Sequence, residues 1–118
     1  VASLCVVLLH STDEPALVVS ALRAARGALA HGPCALFAAA EGSRLAARGV
    51  AEALSGCGRP DLAGWLREFL GAGGRLLASE ACLRERGFAP DLLVPGAVLS
   101  DDGTPGRLAS EGWTFVSF

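Results

Sequence analysis

The chain has 118 residues, enough for one compact domain over 1–118 and short of two. Apolar residues make up 52% and charged residues 19%, a balance that supports a buried core and excludes disorder as the chain's main character. Net charge is -2, with all ten cations arginine, which removes a P-loop lysine, Schiff-base chemistry and a strong electrostatic case for nucleic acid.

Leu4 to Leu9 is a short apolar run ending in the polar cluster His10-Ser-Thr-Asp-Glu-Pro15, the pattern of a buried strand followed by a helix start. From Ala16 to Ala30, Leu17, Ala21, Leu22, Ala25 and Leu29 recur at helical spacing opposite Arg23 and Arg26, and Gly32 closes the helix. Cys34 to Ala40 reads as a second buried strand, broken by Glu41-Gly-Ser43. Alanine-rich Arg44 to Leu54 predicts a helix despite Gly49. After the loop Ser55 to Pro60, Asp61 caps a helix whose inward stripe is Leu62, Trp65, Leu66, Phe69 and Leu70 and which Gly71 to Gly74 stop.

Arg75 to Ala78 predicts a third strand, Ser79 to Cys82 the start of a short helix ended by Gly87, and Ala97 to Leu99 a short fourth strand. The turn Asp101 to Gly106 leads to a small helix and a final strand, Trp113 to Phe118. Strands alternating with helices imply a parallel sheet in a three-layer α/β/α domain. Chemistry in such sheets gathers beyond the carboxyl ends of the strands. That rule selects His10 to Asp13, Glu41 to Ser43 and Ser79 to Cys82, which are expected to share one edge.

The apolar runs fall far short of the ~20 residues that cross a bilayer, and the start shows no secretion signal. Methionine is absent, so Val1 is not expected to be a native translation start. Cys5, Cys34, Cys57 and Cys82 lack metal-ligand spacing, and Cys5 and Cys34 fall in apolar strands as core. This usage suits a reducing compartment, with the cytoplasm as the expected location, and no metal. Cys57 sits in a loop where it is open to oxidation.

Cys82 is the candidate nucleophile, because the start of a helix supplies unpaired N–H groups that favour a thiolate. Arg84 and Arg86 add positive potential nearby. The competing role is that of a small apolar filler. Arg86 either favours the anion or forms an ion pair with Glu85 or Glu80. Ser79 either donates to the sulfur or caps the helix. His10 is a candidate proton shuttle or an ordinary loop residue, and Glu41 a site acid or a helix cap.

The segment Gly74-Arg-Leu-Leu-Ala-Ser-Glu-Ala-Cys-Leu-Arg-Glu-Arg-Gly-Phe88 resembles the signature of the DsrE/DsrF-like sulfur-relay family (DsrE/DsrF/TusD type). There a strand leads into Cys-x-x-x-Arg-Gly, which Cys82, Arg86 and Gly87 match. The likeness extends to the His10-Ser-Thr-Asp13 loop, the alanine-rich helix, the Ala-Glu-Gly42 strand end and the closing Phe-Val-Ser-Phe118. The resemblance implies a DsrEFH-like parallel five-stranded α/β/α domain that forms homo- or hetero-oligomers. It also implies that Cys82 carries sulfane sulfur as a persulfide between sulfur-donor and sulfur-acceptor proteins, with no cofactor, nucleic acid or membrane involved. Some relatives have a cysteine three residues before the carrier; Ser79 stands there, so a one-cysteine carrier is the simpler mechanism. The alternative is a non-catalytic oligomeric binding or scaffold subunit of the same fold.

Other cysteine and α/β chemistries match less well. A phosphatase loop needs arginine six residues after the cysteine, where this chain has Phe88. Thioredoxin-type chemistry needs Cys-x-x-Cys, a receiver domain needs a late lysine, and a dinucleotide site needs Gly-x-Gly-x-x-Gly after the first strand.

Overall fold

The computed structural model describes residues 2–118, so Val1 lies outside them. The apolar runs form five strands: β1 (Leu4–Leu8), β2 (Cys34–Ala38), β3 (Arg75–Ser79), β4 (Ala97–Ser100) and β5 (Thr114–Ser117). Every pairing is parallel, in the order β4-β3-β2-β1-β5. The connecting helices are α1 (Pro15–Ala28), α2 (Val50–Leu54), α3 (Leu62–Gly71), α4 (Glu80–Glu85) and α5 (Thr104–Ser110). The chain is a three-layer α/β/α sandwich.

The strand order explains the unequal layers. The steps from β1 to β4 all move the same way across the sheet, so right-handed crossovers place α1 to α4 on one face. The return from β4 to β5 runs the opposite way and leaves α5 alone on the other. Side chains divide accordingly. Val6, Leu8, Leu36 and Leu76 face the larger core with Val18, Leu22, Leu66 and Phe69 from the helices. The smaller core holds Cys5, Ala35, Phe37 and Leu77 under Leu108 of α5. All five β2 residues are buried, as expected for a central parallel strand covered on both faces.

Arg44 to Leu54 is not one helix. Ala40–Ala46 forms a 3₁₀ helix, Ala47 is extended and bridges Leu93, and α2 starts only after Gly49 at φ 90°. The cause is competition for backbone groups. The Arg48 N–H donates to the Leu92 carbonyl at 2.7 Å and the Val94 N–H to the Ala46 carbonyl at 2.8 Å, bonds that a continuous helix would not form. Trp65 packs against the core at the margin of the predicted inward stripe. It is half-buried, with the Arg26 guanidinium 4.5 Å from its ring centroid. α5 begins inside the predicted turn at Thr104, with Pro105 in its first turn, where proline is tolerated. Among the described residues no helix is long and apolar enough to cross a membrane.

Candidate functional site at the carboxyl edge of the sheet

Because the strands are parallel, the loops leaving β1, β2 and β3 emerge at the same edge, as expected. Ser79 ends β3, and its Oγ accepts the Cys82 N–H at 3.3 Å. This cap starts α4 at once, so Cys82 lies in its first turn, partly exposed. Ser79 therefore takes the capping role of its two expected ones.

The partner of the sulfur comes from the turn that leaves β2. The Ala40 N–H donates to Cys82 Sγ at 3.2 Å. Ala40 stands at φ 51°, in the left-handed region that costs a non-glycine residue roughly 1–2 kcal/mol. The surrounding turn holds it there. Ser43 Oγ donates to the Ala40 carbonyl at 2.7 Å, and the Ala39 N–H donates to the Leu8 carbonyl at 3.0 Å. Gly42 lets the turn lie directly on the end of β1, since an added Cβ would collide with the Leu8 carbonyl oxygen.

Glu41 ties this turn to α4. Its carboxylate accepts from Arg44 Nε at 2.7 Å and from Arg86 Nε at 2.9 Å. The hydrogen bond from Arg44, followed by that from Arg86, holds the Glu41 carboxyl below its ordinary range. Arg86 also donates to the Cys82 carbonyl at 3.1 Å. The ion pair expected with Glu85 or Glu80 is thus made with Glu41 instead, while Glu80 pairs with Arg84. The Arg86 guanidinium grips the carbonyl side of Cys82, with its charge offset by Glu41.

His10 shares the edge but sits at the end of β1, two strand spacings from β3, or roughly 10 Å. Its Nδ1 lies 2.8 Å from Asp13 Oδ2, and the Ser11 N–H donates to Asp13 Oδ1 at 2.8 Å. The Ser11 amide, and after it His10, keeps the Asp13 carboxyl below its usual range. The structure thus joins Ser79, Cys82, Glu41 and Arg86 in one cluster and places His10 in a separate one.

The other thiols are distributed as expected. Cys5 and Cys34 are buried, and burial pushes each thiol up to about 11. Cys57 is exposed. Sequence reasoning missed Ala40 and Arg44. An alanine that acts through its backbone amide leaves no side-chain signal, whereas Glu41 and Arg44 stand at i, i+3, a spacing that brings side chains together on a helical turn.

No family model matches the chain, and no curated protein matches it. Among the solved structures that share its fold are two proteins of unknown function. A protein of unknown function, MTH1491 from Methanobacterium thermoautotrophicum, superposes with a TM-score of 0.75 at 21% identity, covering 100% of each chain. A conserved protein of unknown function, BT1422 from Bacteroides thetaiotaomicron, gives 0.56 at 19% identity, covering 97% of this chain and 93% of that one.

Proposed function

We propose that this chain is a sulfur-relay protein of DsrE/DsrF-like type that carries sulfane sulfur as a persulfide on Cys82. The observation that supports the reading is the hydrogen bond from the Ala40 N–H to the sulfur of Cys82, a partly exposed residue at the sheet's carboxyl edge. A backbone donor fixed in that direction stabilises negative charge on sulfur without moving during the reaction.

The chemistry is exchange at sulfur. The Cys82 thiolate attacks the outer sulfur of a donor persulfide, R–S–SH. The new Cys82–S bond forms as the donor S–S bond breaks, and its electron pair leaves on R–S⁻. The product, Cys82–S–SH, keeps the proton of the outer sulfur, and no net oxidation occurs. An acceptor thiolate then attacks that outer sulfur and Cys82 departs as thiolate. The Ala40 N–H serves the same atom in both halves. Ser79 fixes the Cys82 amide, and the Glu41–Arg86 contact holds α4 against the turn carrying Ala40. The chemistry calls for no metal or organic cofactor, and a reducing cytoplasm would keep the thiol available.

Donor and acceptor proteins are the partners of this reading, and self-association accompanies it. β5 is an edge strand whose Phe115 and Val116 are exposed; the register with β1 points them to opposite faces. The same edge favours the second reading, a scaffold subunit that keeps the fold and transfers nothing.

Intact-mass spectrometry after incubation with a persulfide donor, followed by a thiol acceptor, separates the readings. Carriage predicts a one-sulfur adduct on wild type that the acceptor removes, with none on Cys82→Ser. An adduct equal on both proteins, or no adduct on either, overturns it.

A further inference from the structure

Between α2, α3 and the residues that lead into β4 lies a groove of about 380 Å³. Ala51, Ala63, Leu66, Leu70, Val94 and Pro95 supply its apolar lining. Its walls are held by backbone bonds. Arg48 N–H and Val94 N–H tie the segment 92–94 to residues 46–48, and Arg48 Nε donates to the Leu93 carbonyl at 2.8 Å. On α3, Ala63, Leu66, Arg67 and Leu70 share one face at i, i+3, i+4 and i+7. That face therefore presents aliphatic side chains with a single cation.

Three charged residues border the groove: Arg48, Arg67 and Glu52. Among the described residues neither arginine is in an ion pair, whereas Arg26, Arg44, Arg84 and Arg86 each hold a carboxylate. Arg48 spends Nε on Leu93 and keeps its terminal nitrogens, and Arg67 is exposed. Two unpaired guanidiniums against one carboxylate leave the rim net positive over an aliphatic floor.

We infer that this groove binds a small amphipathic carboxylate, with the alkyl body against Leu66, Leu70 and Val94 and the carboxylate between Arg48 and Arg67. The volume lies within the range of small-ligand sites, and guanidinium is the side chain best matched to a carboxylate. Glu52 sets the selectivity, since it repels a second negative charge and disfavours dianionic ligands. The groove is independent of Cys82, so this inference and the sulfur-relay reading stand or fall separately.

The test is amide chemical-shift titration of the folded protein with octanoate, octanol and octylamine in parallel. Saturable octanoate shifts at Ala51, Leu66, Leu70 and Val94 are expected, with octanol and octylamine weaker. Arg67→Gln, which removes the charge and leaves the apolar lining in place, is expected to weaken octanoate roughly fivefold and leave octanol unchanged, the loss of one partly solvated charged contact. Absence of saturable shifts at these amides, equal affinity for octylamine, or an unaltered octanoate affinity in Arg67→Gln overturns the inference.

Discussion

At the residue scale, the environments of the four thiols differ enough to separate them chemically. Cys5 and Cys34 are sealed in the two cores with thiols raised to about 11, while Cys57 is an exposed residue and Cys82 a partly exposed one. Brief iodoacetamide treatment of native protein is therefore expected to label Cys57 and Cys82 and to spare Cys5 and Cys34 until urea is added. Native labelling of Cys34 would contradict the packing. Glu41 supports a second prediction. Its folded carboxyl titrates below the ordinary glutamate range because Arg44 and Arg86 donate to it. The stabilisation is thus complete above the unfolded value of about 4.3 and disappears as pH falls through the lower folded value. Urea midpoints of wild type and Glu41→Gln should differ at pH 7 and converge as pH falls below the ordinary glutamate range. A gap unchanged with pH would contradict this.

At the element scale, the strands were legible because a parallel sheet covered on both faces demands unbroken apolar runs, and Leu4 to Leu8 and Cys34 to Ala38 supply them. Ser79 was legible as a cap and Cys82 as a residue of the helix it starts. The split of Arg44 to Leu54 was not, because alanine propensity there is overridden by distant carbonyl and amide partners at residues 92–94. The Ala40 amide was equally invisible, since its direction depends on a turn seated on another strand. Gly42 permits that seating. Gly42→Ala is expected to destabilise the fold by about 1–3 kcal/mol through overpacking against Leu8, measurable by urea unfolding. A stability equal to wild type would mean that the turn does not rest on β1.

At the scale of the whole molecule, the strand order decides what is covered. With α5 alone on one face and β5 at the edge, Val98, Phe115 and Val116 remain exposed. Open sheet edges of this kind invite pairing, and sedimentation at working concentration is expected to find an oligomer. Monomer alone would contradict self-association. The same order sets the β3 exit beside the β2 exit, so that Ala40 and Cys82 meet although they are 42 residues apart. The central claim is that this meeting makes Cys82 the sulfur acceptor. Peptide mapping by mass spectrometry after loading with limiting persulfide donor tests it against Cys57, an exposed cysteine in the same molecule. The added sulfur is predicted on the peptide containing Cys82; sulfur on the Cys57 peptide, or shared evenly between the two, would contradict the claim.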